Sequence, residues 1–404
     1  MELISQPLIS AVMFFYLLLR AAFGQSTSIH CFDIRCYFDY LCYLPAKQHF
    51  AALISSNSTV YRRPAQNNLD SGGLINHDAL KFHWIDYWAE IIDIDRSEYQ
   101  FLNETWLLMH RFLPSNVMHA IHDDLMPLYF TVKELTFLHE NIDRILFLDN
   151  YNDAVIGGIG TAVIGPWELS LRAPVCLRRV IVGLSRVSLW YQYGFGTMPG
   201  EIDNPLIDRH LIREFAASVR KGLEMQPLNL EAESSIRESN KISIISRSHN
   251  RLILNEAELT RELVTKLNMK VQVLRIENTT TENLRRLIEK LANSVALIGM
   301  HGSALILAMF LRPGATIVEL FPYALDPRNF TPYRKLASIL GLEYAVWRNC
   351  DATKSVAHPY SQPAYGGIAH LSAQLQKLTA TSARENFPKL PVLNNYTKIQ
   401  LFYF

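Results

Sequence analysis

The second half of the sequence alternates short β-branched segments with segments of helical periodicity, and this alternation constrains the fold more than any other feature. Five segments are typical of buried strands: Ile242–Ser246, Val271–Ile276, Val295–Gly299, Thr316–Leu320 and Tyr344–Trp347. Four intervening segments have the character of helices: Asn255–Leu267, Thr281–Asn293, Ser303–Leu311 and Thr331–Leu340. Such an alternation predicts an α/β domain whose core is a doubly wound parallel sheet.

Polar residues follow three of these strands, at the sheet edge where open parallel sheets bind their ligands. They are Arg247 and Arg251, then His301 and Gly302, then Glu319. Two guanidinium groups can neutralise a diphosphate, the N–H groups of a helix that begins after a glycine can bind phosphate oxygens, and a carboxylate can accept hydrogen bonds from ribose hydroxyls. We therefore predict a nucleoside diphosphate site with these donor-binding residues: Arg247, Arg251, Asn255, His301, Gly302, Ser303 and Glu319.

Each of these features alone is more often structural, since a short motif has a high false-positive rate. Because all of them follow strands at the same edge of the predicted sheet, we favour a ligand-binding site over a purely structural role. The sequence has no Gly-x-Gly-x-x-Gly and no P-loop motif, so neither a dinucleotide dehydrogenase nor a P-loop NTPase is supported. With 39 basic and 38 acidic side chains the net charge is +1, and the composition therefore gives no support for a nucleic-acid partner.

The first half contains a second polar cluster, on a helix that is predicted to begin near Pro114. Asn116, His119 and Asp123 recur at spacings of three and four residues and should share one helix face. An amide, an imidazole and a carboxylate on one face could carry out acid–base chemistry, and the equally weighted alternative is a capped helix with solvated carboxylates. No spacing among the histidines and aspartates of this segment requires a metal, and we predict none.

The N-terminal segment 1–24 indicates secretion. Leu8–Leu19 is a continuous apolar stretch, shorter than the ~20 residues that span a bilayer, and Ala22–Gly24 has the small-x-small form of a cleavage site. A cleaved signal peptide and a short signal anchor both remain open. Either would place the rest of the chain in an oxidising lumen.

The cysteines and sequons fit that compartment. Three of the five cysteines, Cys31, Cys36 and Cys42, follow the N-terminal segment closely, and we predict disulfide bonds with one thiol left over and the pairing open. Five sequons predict N-glycosylation sites, namely Asn57, Asn103, Asn278, Asn329 and Asn395.

Four segments in one order resemble glycosyltransferase family 61: Asn116–Leu128, Trp190–Phe195, Arg247–Leu259 and Met300–Tyr323. The resemblance extends from about Cys31 to His370. It implies a GT-B-like α/β fold in which two Rossmann-like domains face a cleft. The expected divisions are an N-terminal acceptor-side domain at 25–235, a C-terminal nucleotide-sugar-binding domain at 236–375 and a tail at 376–404.

The resemblance also implies an activity. It is closest in character to inverting enzymes of the endoplasmic reticulum lumen that transfer GlcNAc from UDP-GlcNAc, in β-1,4 linkage, to O-mannosylated Ser/Thr of α-dystroglycan-type proteins. Relatives of this type carry a C-terminal fibronectin type III domain, and we expect none before Phe404. Two alternatives stay open: another family member that glycosylates EGF-like domains or transfers xylose, and a non-catalytic lumenal glycan-binding protein. A membrane association through the N-terminal segment and a homodimer are further expectations.

An inverting transfer needs a base for the acceptor hydroxyl and positive charge for the departing diphosphate. The candidates for the base are His119, Asp123 and His301. Since the two arginines can stabilise the leaving group, we expect no obligatory metal or cofactor. The residues expected on the acceptor side are Arg111, Asn116, His122 and Asp124.

Overall fold

A computed structural model gives the fold of the chain as two compact units, each discontinuous in sequence. It describes residues 27–44, 49–54, 68–73, 79–86, 100–149, 151, 167–168, 175–192, 200–226, 241–248, 251–276, 281–323, 325–328, 330–356 and 401–402. The first unit comprises Met1–Arg111, Val132–Asn150 and Pro166–Leu184, and the second comprises Phe112–Thr131, Tyr151–Gly165 and Ser185–Phe404. The N-terminal segment 1–24 lies outside the described residues, as does the tail except for Leu401–Phe402.

The first unit is built on a mixed sheet. Its described strands are β1 Ser28–Phe32, β2 Arg35–Leu44, β3 His49–Ile54, β4 Asn68–Asp70, β5 Ala79–Asp86, β6 Gln100–Met109, β7 Arg144–Phe147, β8 Trp167–Glu168 and β9 Val175–Val182. The order is β4-β5-β3-β2-β9-β6-β7-β8, with β1 paired to β2. Strand β2 is antiparallel to β3 and β9, whereas β6 is parallel to β9 and β7. Its core includes Phe38, Val180 and Trp106, which lie opposite one another on β2, β9 and β6.

Two disulfide bonds strengthen this sheet. Cys31–Cys36 closes the β1–β2 hairpin, and Cys42–Cys176 joins β2 to β9 across a sequence separation of 134 residues. A loop of that length corresponds to about 4–5 kcal/mol in the chain-entropy model of disulfide stabilisation. The predicted disulfides and the predicted remaining thiol, which is the exposed Cys350, are confirmed.

The second unit contains the predicted parallel sheet. Its described strands are β10 Tyr191–Gln192, β11 Gly200–Glu201, β12 Lys241–Ser246, β13 Leu252–Ile253, β14 Lys270–Arg275, β15 Ala296–Met300, β16 Thr316–Phe321, β17 Glu343–Arg348, β18 Ser355–Val356 and β19 Leu401–Phe402. The main sheet has the order β14-β12-β15-β16-β17, and all of its pairings are parallel. The chain direction of the crossovers reverses between β12 and β15, which is the point where doubly wound sheets bind ligands. The α/β class and the doubly wound sheet are confirmed.

The helices complete the alternation. In chain order the α-helices are α1 Met126–Phe137, α2 Arg209–Gly222, α3 Glu256–Leu267, α4 Thr281–Ala292 and α5 Pro332–Leu340. A π-helix, His119–Leu125, precedes α1, and two 3₁₀-helices occupy Ser303–Phe310 and Ala352–Lys354. The segment after β15 is thus a 3₁₀-helix, and the helix expected near Pro114 starts at residues 117–118 and continues through the π-helix into α1. Among the described residues, no helix has the length and apolar character needed to cross a membrane.

The two units do not follow the expected linear division near residue 235, a position outside the described residues. Strand β9 inserts between β2 and β6 and so returns residues 175–182 to the first sheet. The chain segment Phe112–Thr131, which was expected in the acceptor-side domain, belongs to the second unit. The first sheet is mixed, whereas the main sheet of the second unit is entirely parallel.

Candidate functional site

Two guanidinium groups converge on the turn that follows β15. A Cβ atom at Gly302 would lie 2.6 Å from Nη1 of Arg247 and 3.3 Å from Nη1 of Arg251. Any other residue at this position would push the Arg247 side chain aside, so glycine is what allows the two cations to approach this backbone. The structure thus brings together the ends of β12 and β15, as the sequence predicted.

The electrostatics of this turn favour an anion. Burial, and after it the charge of Arg247, lowers the pKa of Arg251 to about 9, although Tyr333 and Glu319 act in the opposite direction. Burial also lowers the pKa of Arg247. Arg251 donates from Nη1 to the carbonyl oxygen of His301 at 2.5 Å, and its Nε has no hydrogen-bond partner among the described residues. An incoming diphosphate would relieve the repulsion between the two cations.

Glu319 lies on β16 with both carboxylate oxygens engaged. Oε1 accepts a hydrogen bond from Nδ1 of His301 at 2.5 Å, and Oε2 accepts one from the hydroxyl of Tyr344 at 2.6 Å. The Glu319 side chain is fully buried, whereas the His301 side chain is 12% exposed. Both oxygens therefore already accept a hydrogen bond from a protein side chain, whereas the sequence predicted ribose hydroxyls as their donors.

Aromatic residues surround the His301 imidazole. Its ring stacks on Phe321, with the centroids 4.8 Å apart and the planes at 22°, and it lies 5.5 Å from Phe330 and 6.1 Å from Tyr333. Burial is the first cause that raises the pKa of Tyr333, followed by the charge of Glu319, so this phenol stays protonated. Sequence reasoning did not assign Tyr333 or Tyr344, because no spacing relates them to the strand ends.

Two other predicted donor residues lie at helix starts. Asn255 immediately precedes α3, where its carbonyl oxygen accepts from the N–H of Leu259 at 3.0 Å and its amide donates to Glu258 at 3.1 Å. Ser303 is the first residue of the 3₁₀-helix, and Gly302 accepts from the N–H of Leu305 at 3.1 Å. Asn255 therefore occupies the N-cap position of α3, and its side chain makes no capping hydrogen bond.

The π-helix contains a second imidazole–carboxylate cluster. Asp123 accepts a hydrogen bond from Nδ1 of His119 at 2.6 Å and one from Nδ1 of His122 at 2.5 Å. His119 and Asp123 are four residues apart, and the adjacent His122 bonds to the other oxygen of the same carboxylate within the π-helix. Burial alone would raise the pKa of Asp123, but the charge of His122 and the hydrogen bonds from both histidines outweigh burial and lower it.

Only one of these two imidazoles reaches the surface. His122 is completely buried, and its Nε2 faces the backbone N–H of Trp190 at 3.4 Å. The side chain of His119 is 14% exposed, while that of Asp123 is not exposed at all. Of the three residues, His119 is therefore the one whose side chain is partly exposed to solvent.

Trp190 joins the two clusters inside the second unit. Its ring meets that of His122 edge-on at 4.2 Å, and its Nε1 donates to the carbonyl oxygen of Pro332 at 3.1 Å. Pro332 begins α5, and the next residue is Tyr333, beside the two arginines. Trp190 belongs to one of the four segments that resemble the family, but no residue pattern indicated this bridging position.

The expected acceptor-side residues have structural contacts. Oδ1 of Asn116 accepts from the N–H of Met118 at 3.1 Å, and Oδ1 of the buried Asp124 accepts from the N–H of Phe112 at 2.9 Å. Arg111 lies in the first unit and pairs with Asp149. These contacts leave the predicted acceptor roles unsupported by geometry.

The remaining predictions concern glycans and metals. Asn103 is exposed on β6, and the other four sequons, at Asn57, Asn278, Asn329 and Asn395, lie outside the described residues. Within the described part of the chain, no group of three or more His, Cys, Asp or Glu side chains could hold a metal ion.

Comparison with known proteins gives one consistent family. The Glycosyltransferase 61 family model matches residues 101–318. Proteins named protein O-linked-mannose beta-1,4-N-acetylglucosaminyltransferase 2 are similar to this chain. The one from Tetraodon nigroviridis is 31% identical over 396 residues, which cover 94% of this chain and 67% of the relative. The one from Mus musculus is 33% identical over 353 residues, which cover 84% and 59%. The chain thus spans about three-fifths to two-thirds of the length of these relatives.

Proposed function

The chain belongs to the Glycosyltransferase 61 family, and from this premise we propose that it is an inverting N-acetylglucosaminyltransferase. Its donor is UDP-GlcNAc, and its acceptor is an O-mannosylated Ser/Thr of a lumenal glycoprotein of the α-dystroglycan type, to which it forms a β-1,4 linkage. The observation that carries the donor half is the convergence of Arg247 and Arg251 on Gly302. The acceptor half is supported by the names of the similar proteins.

The donor diphosphate binds to the two guanidinium groups. Each is held partly out of water at the carboxyl edge of the parallel sheet, where a charge-assisted hydrogen bond to phosphate is strong. As the bond between the sugar C1 and the diphosphate oxygen breaks, the electron pair goes to the diphosphate, and the arginines stabilise that growing charge. No obligatory metal or other cofactor is part of this proposal.

His119 is the proposed base. Its Nδ1–H is held by Asp123, which leaves Nε2 as the nitrogen that can take the proton of the acceptor hydroxyl. The acceptor oxygen then bonds to C1 on the face opposite the leaving diphosphate, and the anomeric configuration inverts. A buried carboxylate that orients an imidazole in this way also stabilises the imidazolium that forms.

The finer architecture and location complete the proposal. We include a GT-B-like pairing of two Rossmann-like domains, residence in the endoplasmic reticulum lumen, a membrane association through the N-terminal segment and a homodimer. The exposed Asn103 and the disulfide-bonded first sheet support a lumenal chain.

Thermal unfolding with UDP, UDP-GlcNAc and UDP-xylose tests the donor. A ligand at 100 times its dissociation constant stabilises a protein by ~2.7 kcal/mol, so UDP and UDP-GlcNAc should raise the melting temperature and UDP-xylose should raise it less. Transfer of labelled GlcNAc to an O-mannosyl peptide tests the reaction. A preference for UDP-xylose would indicate another transferase of the family, and binding without turnover on any acceptor would indicate a glycan-binding protein.

A further inference from the structure

The carboxylate of Glu319 lies between an imidazole and a phenol, and this arrangement fixes the protonation of both. A carboxylate only accepts hydrogen bonds, so Nδ1 of His301 carries a hydrogen and the hydroxyl of Tyr344 points toward Oε2. Burial first, and then Glu319, raises the pKa of Tyr344, so the phenol remains a donor. Nε2 is the ring nitrogen that remains for a ligand, since no described residue shares a hydrogen bond with it.

The imidazole lies at the same edge as the two cations. The carbonyl oxygen of His301 accepts a hydrogen bond from Arg251, and the next residue, Gly302, meets the tips of both arginines. Stacking on Phe321 restricts the plane of the ring. A diphosphate held by Arg247 and Arg251 would therefore lie next to this imidazole.

From this juxtaposition we infer that Tyr344, Glu319 and His301 form a relay in which Glu319 holds Nδ1–H, so that His301 binds the diphosphate of a nucleotide sugar as an imidazolium that donates from Nε2. Glu319 and Tyr344 are then positioning residues, which act through His301 and do not touch the ribose. The inference rests on the proposed function, because that function supplies the nucleotide sugar.

The tautomer of His301 tests the relay without any nucleotide. Ring ¹⁵N shifts of the histidine-labelled protein, assigned by the signal lost in His301→Asn, should show a protonated Nδ1 at a pH where the ring is neutral. Glu319→Gln should shift those signals toward a mixture of tautomers, because an amide can donate to Nδ1 as well as accept from it. A parent His301 protonated on Nε2, or shifts unchanged by Glu319→Gln, would overturn the relay.

Nucleotide affinity separates positioning from ribose contact. We expect Glu319→Gln to weaken UDP-GlcNAc about tenfold or more, and Tyr344→Phe to weaken it about two- to tenfold, the scale of a charged and a neutral hydrogen bond. The same fold-losses should appear with UDP, 2′-deoxy-UDP and 3′-deoxy-UDP, since a relay does not sense the ribose hydroxyls. If the Glu319→Gln loss disappears for one deoxy analogue, Glu319 binds that hydroxyl and the inference is wrong.

A matched control is present in the same unit. The hydroxyl of Tyr129 donates to Oε1 of Glu214 at 2.7 Å, and Tyr129→Phe removes an equivalent phenol–carboxylate bond on α1. This variant should bind UDP-GlcNAc within about twofold of the parent. If the parent binds UDP-GlcNAc and neither Glu319→Gln nor Tyr344→Phe changes the affinity, the inference is wrong and the proposed function stands. A parent that binds no nucleotide would contradict the proposed function itself.

Discussion

His119–Asp123 and His301–Glu319 have nearly the same bond length but arise in different ways. The first pair comes from one turn of a π-helix, so its geometry is local. The second pair joins two neighbouring strands, β15 and β16, whose register places Gly299 opposite Glu319. A local pair depends on the helix type, whereas a pair across strands depends on the whole sheet.

The surroundings of the two pairs differ more than the pairs themselves. His119 meets the ring of Phe112 edge-on at 4.7 Å, and its carboxylate is shared with His122. His301 has the two guanidiniums beside it, and its carboxylate is shared with a phenol. An imidazole beside two cations is suited to contact an anion. We therefore propose diphosphate contact for the second pair and proton transfer for the first.

The largest effect should follow from disrupting the first pair. His119→Ala or Asp123→Asn should reduce GlcNAc transfer by ~10²–10⁴, the usual contribution of a general base, and should change UDP affinity by less than about threefold. Initial rates of transfer and UDP titrations on the same preparations measure both quantities.

His210→Ala is the matched control for this experiment, since His210 is an exposed histidine on α2 in the same unit. It should leave transfer and affinity unchanged. Parent-like transfer in both His119→Ala and Asp123→Asn would reverse the comparison and make His301 the better candidate for the base. Loss of folding in both would mean that this buried, hydrogen-bonded polar helix has a structural role.

The second largest effect concerns UDP affinity, at the arginine beside the His301–Glu319 pair. Arg251→Ala should weaken UDP by about 10–100-fold, because a charge-assisted bond to phosphate contributes about 1.5–3 kcal/mol. Arg251→Lys should restore only part of the UDP affinity, since an ammonium cannot form the bidentate hydrogen bonds of a guanidinium. The free energy of unfolding without ligand should not fall, because the lowered pKa of Arg251 means that folding disfavours its charged form. Urea unfolding and UDP titration check both, with the exposed Arg261→Ala on α3 as the control.

The sequence predicts the second sheet well because each of its strands is a local signal. Its five strands lie within one residue of the predicted positions at either end. Parallel strands are covered on both faces, so they appear as short, nearly continuous apolar runs between helices. The first sheet gives no comparable signal: β9 enters between β2 and β6 from more than 70 residues away, and long-range pairing leaves no periodicity to detect.

The candidates His119, Asp123, His301 and Glu319 were all named from the sequence, and His119 and Asp123 were expected on one helix face. The sequence did not predict that Asp123 also bonds to His122 or that His301 bonds to Glu319. The His301–Glu319 bond needs the register of two strands, and Tyr344 needs a third strand. Residue type indicated the chemistry, and tertiary structure determined the partners.

A smaller effect should come from the link between the two pairs. Trp190→Phe keeps the aromatic contact with His122 but removes the bond from Nε1 to Pro332. A neutral hydrogen bond contributes about 0.5–1.5 kcal/mol, so transfer should fall about two- to tenfold. Trp106→Phe, at an equally buried tryptophan in the first unit, is the control and should leave transfer unchanged. Equal effects of the two variants on transfer would show that Trp190 only fills the core.

The smallest effects should appear in the pH dependence of stability, where the two pairs act at opposite ends. The pKa of Asp123 is lower in the folded chain than in the unfolded chain. The stability that it contributes is therefore present above pH ~3.9, the pKa of an unfolded Asp, and is lost as the pH falls further. The pKa of Tyr344 is raised in the folded chain. The stability that it contributes is therefore present below pH ~10, the pKa of an unfolded Tyr, and is lost as the pH rises further. Each group can change the free energy of unfolding by at most about 1.4 kcal/mol per pH unit.

Urea unfolding between pH 3 and 6 and between pH 9 and 11 should therefore separate the pairs. Asp123→Asn should flatten the acid limb and leave the alkaline limb as in the parent, and Tyr344→Phe should do the reverse. The slopes are compared instead of the absolute stabilities, since each substitution also removes a hydrogen bond at neutral pH. Tyr333 also has a raised pKa, so the alkaline limb should flatten in part and not vanish in Tyr344→Phe. An acid limb unchanged in Asp123→Asn would mean that the two histidines do not hold this carboxylate in its charged form, and the assignment of His119 as an oriented base would lose its electrostatic support.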